Sequence, residues 1–446
     1  MNRELILPAT LFSLLLTVTS SVNADALIQC PNDTTPDAVM DIEDINAAPL
    51  GNFPGPEDTD HNNDGIFQNL TNTKCQHLSG SEGFITMADG YTQFMFGFGD
   101  MTGVAQNQAQ TTGILNARLP ASRIVVEQGQ KFYLTLTNAG FVQRPDLFDP
   151  HTIHYHGFPN VASTFDGVPE MTFSINPNAS LTYFYNQVEP GTYMYHCHVE
   201  STEHMQMGMN GNLYVHAAQD QLAPGTPLGT HTHNTGDHYA YNDEDGDTLY
   251  HVEFPVQIHT FDPDFHDASL NTQPLPFAEM DDKYPMLNGR GYPDTVNTSA
   301  LPAPSDDGGL TFLNALYDGT GNIIRDEVQS QPEDSVVTAD STLNQKILLR
   351  LTNMSVTGPV TLTTLGLDMR VIGRGAKMMR TNGNVNGTDI SYVTNTLNIG
   401  PGEGYDVIID SAGVTPGTYF LYTTNLDYLS NNNEDYGGIM TSIVIN

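Results

Sequence analysis

Between residues 84 and 217 short apolar runs alternate with turn-forming residues, and no helical period is sustained anywhere in the chain. Arg123–Thr137 (RIVVEQGQKFYLTLT) reads as two strands around a Gln128-Gly129 turn, and Leu181–Tyr185 and Gly191–Tyr195 read as two more. The pattern resumes from 251 to 446, where Lys346–Leu351, Val360–Leu365, Met369–Ile372, Tyr405–Ile409 and Thr418–Tyr422 are strand-like. Short strands bounded by turns at this spacing predict an all-β chain with two sandwich domains, 84–217 and 251–446.

The segments between and before these domains lack periodicity. Residues 218–250 are rich in Gly, Pro, Thr, His and Asp and read as a linker, and 298–340 as an inserted polar loop. Residues 25–83 read as an irregular N-terminal extension. In front of them, Arg3, the apolar stretch Leu5 to Val18 and Val22-Asn23-Ala24 have the layout of a secretory signal over residues 1–24. No later stretch approaches the ~18 apolar residues of a membrane span. The expectation is a periplasmic or secreted protein. Asp60–Gly65 begins like a calcium loop, but Thr71 stands where the closing Glu belongs, so it reads as a turn. Asp243–Asp247 reads the same way.

Composition narrows the partners. Hydrophobic residues make up 39% and charged residues 15%, enough for a packed core. The 52 acidic and 15 basic residues leave a formal charge of −37, which repels nucleic acid and anionic lipid and excludes both as partners. Of the three cysteines, Cys30 and Cys75 are expected to pair in an oxidising compartment. Cys197 is then left over, and an unpaired thiol in an exported chain needs an explanation.

Its neighbours supply one. Six of the 15 histidines fall between 151 and 204, as His151-Thr-Ile-His154-Tyr-His156-Gly157 and then His196-Cys197-His198 with His204, followed by Met209. Imidazoles, one thiolate and one thioether together suit copper, and two His, a Cys and a weak axial Met form a blue-copper ligand set. Strand side chains alternate faces. His154 and His156 thus share one face, as do His196 and His198, while Cys197 points to the other. One strand would feed a mononuclear site through Cys197 and a second metal group through its flanking histidines.

These motifs resemble those of the multicopper oxidases, laccase-like enzymes with H-x-x-H-x-H-G and H-C-H…H…G-M signatures. Asp166-Gly167-Val168-Pro169, Ile175-x-Pro177, Leu287-Asn288-Gly289-Arg290, Leu365-Gly366 and Gly400-Pro401-Gly402-Glu403 extend the likeness over roughly 84–446. The resemblance implies two cupredoxin-like Greek-key β-sandwich domains, the first binding copper and the second without a copper motif. It implies that His151, Cys197, His204 and Met209 hold a type 1 copper. His154, His156, His196 and His198 would hold type 2/type 3 copper, where O2 is reduced to water. Asp166 falls where the family often keeps an acid and is the candidate proton relay. The electron donor would be a small molecule, a metal ion or a redox protein. Met205 and Met207, soft thioethers beside the entry site, leave cuprous ion open as a donor.

Two departures stand out. Cys197 and His204 are seven residues apart where laccases have five. The family's trinuclear cluster also uses eight histidines, and only two H-x-H pairs of the proper kind are present; His231-Thr-His233 lies in the linker. A second copy of the chain would have to supply the rest. The alternative is a nitrite-reductase-like enzyme with one type 1 and one type 2 copper. There His156 and His196 would be joined by His251 or His259 of another chain, and His154 would replace a catalytic Asp; His198 argues against it. A third reading is an electron-transfer or copper-storage protein that keeps only the type 1 site.

Overall fold

The computed structural model describes residues 73–104, 108–271, 274–304, 316–317, 323–325 and 328–446. The expected signal segment, the Asp60–Gly65 turn and Cys30 lie outside these residues. So do residues 305–315, 318–322 and 326–327 of the polar loop 298–340, in which Leu301 and Gln331 pair in a bridge.

Eight strands build the first domain: β1 (Thr73–Thr86), β2 (Thr92–Asp100), β3 (Ala121–Glu127), β4 (Lys131–Gly140), β5 (His154–His156), β6 (Ala179–Asn186), β7 (Gly191–His196) and β8 (Asn210–His216). They form two four-stranded sheets, β2-β1-β4-β6 and β3-β8-β7-β5. β3 and β4 follow one another around Gly129, yet they belong to different sheets. β1 runs parallel to β4, and β3 parallel to β8, so the chain crosses between sheets in a Greek-key sandwich.

The first sheet opens at Thr73, inside the stretch expected to be irregular. The sequence hides this strand because Thr73–Gly83 (TKCQHLSGSEG) is polar and small, yet buried on both faces. A strand covered on both sides does not alternate. The core between the sheets holds Leu78, Phe94, Phe96, Phe98, Leu134, Leu136, Tyr183 and Tyr195, together with Cys197 and Met209. Each fully buried Phe contributes about 1.5–3 kcal/mol.

The second domain packs a seven-stranded sheet, including Val252–Phe261, Lys346–Asn353, Met369–Arg374 and Gly404–Asp410, against a five-stranded one. The latter includes Val360–Leu365, Gly417–Thr423 and Met440–Ile445. Aliphatic residues of both faces fill the space between, among them Ile347, Leu349, Val360, Leu362, Val371, Val407 and Ile443.

Residues 218–250 are not a free linker. They form two small two-stranded sheets, and Ala240, Tyr241 and Tyr250 pack on Leu348, Ile372 and Ile408 of the second domain. Within them Asp243 closes a turn on its own backbone, accepting from Gly246 N at 2.9 Å and Thr248 N at 2.6 Å. Asp245 and Asp247 pair with Arg380 and Arg370.

Candidate metal centre

β5 is the edge strand beside β7, in antiparallel register with His154 opposite His196 and His156 opposite Met194. That pairing brings the two histidine motifs side by side. The ladder ends at His196, so Cys197 and His198 lie just past the sheet rather than on it. The alternation of faces persists through them.

On the core side, His151, Cys197 and His204 place ligand atoms within 4.8 Å of one another, and all three are buried. His204 Nδ1 lies 3.1 Å from Cys197 Sγ. The backbone N–H of Thr152 points at the same sulfur at 3.4 Å, and Thr152 Oγ1 accepts from His198 N at 3.1 Å. One residue thus ties both motifs together. Neither ring nitrogen of the buried His151 has an oxygen or nitrogen partner. Met209 is fully buried in the same core, and its backbone carbonyl accepts from Cys197 N at 3.1 Å.

Burial alone would raise the Cys197 thiol, but His204 and His151 outweigh it and hold the thiol down at about 5. The thiolate is the form that binds soft metals. Burial likewise opposes charge on His204, but Cys197 and Asp149 raise it well above the ordinary range. Asp149 Oδ2 sits 3.2 Å from His204 Nε2 and fixes the far side of that ring.

On the other side, His154, His156 and His196 form a second group with ligand atoms within 4.8 Å. His198 stands beside them, its ring centroid 5.0 Å from that of His154 and 5.7 Å from that of His196. His154 Nδ1–H donates to the Asp166 carbonyl at 2.7 Å, and His196 Nδ1–H to the Cys197 carbonyl at 2.9 Å. The first bond leaves His154 Nε2 free to face a ligand, while His196 Nε2 lies 3.4 Å from His156 Nδ1, so these two nitrogens face each other across the space a metal would fill. Burial lowers the pKa of His154, His156 and His196, the last to about 3. These imidazoles are therefore neutral at physiological pH, as metal binding requires.

The Asp166 carboxylate stands 3.7 Å from His154 Nδ1, and its backbone makes the shorter contact. It is held there because Gly167 presses against β5. A Cβ on Gly167 would meet Ile153 O at 2.1 Å, and its φ is +83°. Only glycine fits.

The other histidines in the described residues are engaged elsewhere. His77 bonds Thr137, His216 bridges Glu127 and Glu253, His231 pairs with Asp237, His233 with Tyr239, and His238 with Asp220. His251 accepts from Lys346 N. His259 is buried against Asn210 and Met205 O, and His266 against Phe94 O and Gln206 O. A buried His259 cannot reach another chain, which removes it as a nitrite-reductase-type ligand. Met207, considered above for cuprous ion, is packed in the core. Asp149 and Thr152 carried no sequence signal, because their roles rest on contacts across the fold.

The donor set fits copper on both sides: a thiolate with two imidazoles in a buried core, and converging neutral imidazoles beside it. Residues 100–220 match the family model of the multicopper oxidases. Laccase-1 of Emericella nidulans is 28% identical over 181 residues, spanning 38% of this chain and 26% of that protein. The multicopper oxidase MmcO of Mycobacterium tuberculosis is 23% identical over 66% of this chain and 47% of its own length. The chain thus spans a quarter to a half of the curated relatives it matches. The blue copper oxidase of Nitrosomonas europaea shares the fold with a TM-score of 0.55 at 21% identity, covering 84% of this chain and 86% of its own. The copper nitrite reductase of the same organism has a TM-score of 0.50 at 14% identity, covering 84% and 94%. The segment that carries all eight candidate ligands is a multicopper oxidase domain, on a cupredoxin scaffold.

Proposed function

We propose that this protein is an exported, copper-dependent oxidase. It would couple one-electron oxidation of a donor at the Cys197 side to reduction of O2 to water at the histidine side. The observation that carries this reading is the placement of Cys197, its sulfur against His151 and His204 and its backbone leading directly to His196 and His198. Four donor oxidations supply the four electrons, and four protons complete two waters. Copper, when bound, supplies the one-electron redox steps and the affinity for O2. The chain's own residues do the rest. His151, Cys197, His204 and Met209 form a fully buried entry pocket. His154, His156 and His196 present converging nitrogens, with His198 beside them. Asp166, beside His154 at the half-exposed face, passes protons inward.

The donor is a small molecule, a metal ion or a redox protein. Four imidazoles are half the set the family's trinuclear cluster uses, and His61 is the one histidine outside the described residues. A second copy of the chain would supply the remainder. The exposed Met171 and Phe173, on the loop that follows Asp166, give that face an apolar rim to cover. A second reading, nitrite reduction at one copper held by His156 and His196 with a histidine of another chain and with His154 in the place of a catalytic Asp, is favoured by the convergence of His154, His156 and His196.

Stopped-flow mixing of the copper-loaded, donor-reduced protein separates the readings. Reoxidation by O2 with loss of dissolved O2 supports the oxidase. Reoxidation by nitrite with O2 excluded, and none by O2, would replace it with the second reading.

A further inference from the structure

The second domain holds none of the eight candidate ligands, yet it touches the two ligand-bearing strands, β7 at Gly191 and Thr192 and β5 at His156. Ala376 packs on Gly191, where an added Cβ would meet it at 3.0 Å. Thr192 donates to Asp406 and accepts from Arg350 Nη1 at 2.9 Å. Gly402 lies against the ring of His156: a Cβ there would stand 3.1 Å from Cε1 and 3.2 Å from Nε2. The turn that holds Gly402 is closed on itself. Glu403 accepts from Gly400 N at 2.9 Å and pairs with Arg374, and Gly402 N donates to Asn353 O at 2.8 Å.

From this geometry we propose that Gly402 is a positioning residue for the histidine group. Its bare backbone forms a fixed wall against His156 and sets where that imidazole presents its nitrogen. The proposal deepens the copper-oxidase reading and rests on it. The physical reason is direct. His156 sits on an edge strand and is half-buried; its Nδ1 lies 3.4 Å from His196 Nε2, a long contact, and no carbonyl or carboxylate fixes its ring as Asp166 and Cys197 fix His154 and His196. The ring's orientation then depends on what stands beside it, and the Gly400–Glu403 turn is close enough that one added carbon at 402 would crowd the ring. A methyl at 402 has nowhere to go except into the ring, because the turn behind it is pinned at both ends.

The test compares Gly402→Ala with Gly413→Ala. Both glycines have nearly the same backbone strain, φ +74° and +76°, but nothing lies within 4 Å of a Cβ at 413. Purified full-length proteins are titrated with Cu(II), and paramagnetic resonance is recorded beside the visible Cys197–copper band. Gly402→Ala should keep the visible band and weaken copper binding at the histidine group by about 10–100-fold, as loss of ligand support commonly does. Its resonance signal should also be altered. Gly413→Ala should match wild type in both. Equal behaviour of the two variants at the histidine group overturns the positioning role. Wild-type protein that binds no copper beyond the Cys197 site overturns the function reading, and the positioning role with it. If Gly402→Ala fails to fold, Glu403→Gln, which loosens the turn by removing its charge against Arg374, should weaken copper binding at the histidine group while keeping the visible band. Copper binding at that group left unchanged by Glu403→Gln overturns the proposal.

Discussion

His216 offers the sharpest test of how the two domains are held together. It lies on β8, with Nδ1 3.1 Å from Glu127 of the first domain and Nε2 3.2 Å from Glu253 of the second. Glu253 in turn holds the fully buried Arg350 at 2.6 Å. Burial and Arg350 both work against a charged imidazole here. The two carboxylates prevail and raise His216 from 6.5 to about 9. Because the folded value exceeds the unfolded one, the stabilisation is fully present below about pH 6.5. It declines as pH rises and is gone above about pH 9. At about 1.4 kcal/mol per pH unit, the displacement corresponds to about 2–3 kcal/mol once screening of the 17% exposed side chain is allowed for. Urea unfolding at about pH 6 and about pH 9.5 should show wild type losing that much. His216→Gln should start less stable and lose far less over the same interval. A variant whose stability falls with pH as steeply as wild type would refute the bridging role.

Other outcomes follow from single contacts. Arg350→Met strands Glu253 and Asp406 in the interface and should cost about 3–5 kcal/mol in urea unfolding. Asp149→Asn removes a negative charge beside His204, so the reduction potential of the Cys197 copper should rise in a redox titration. Asp166→Asn should slow O2 reduction in steady-state assays while leaving reduction of the Cys197 copper by donor unchanged in stopped flow.

Much of the site was legible in the chain. The H-x-x-H-x-H-G and H-C-H spacing survives folding because strand alternation and the β5–β7 pairing act locally. Val360–Leu365 was read to its ends because it is built of Val, Thr and Leu and bounded by Gly358-Pro359 and Gly366. β1 was missed for the opposite reason: Gln76, His77, Ser79, Ser81 and Glu82 are polar yet buried by sheet neighbours and loops that no local pattern reveals. The folding of 218–250 onto the second domain depends on Tyr241 and Tyr250 finding Ile372 and Ile408, contacts made far along the chain. Asp149 and Thr152 were invisible on the same ground, and Gly402 showed only as part of a family-like turn, since each acts on a residue of another strand or domain.

Optical and paramagnetic spectra of the copper-loaded protein beside its Cys197→Ser variant test the central claim most directly. The account predicts an intense visible band in the wild type, its complete loss in the variant, and a persisting copper signal from His154, His156 and His196. A wild type without that band, or a Cys197→Ser protein that keeps it, would contradict the assignment of the thiolate to the metal and the path built on it.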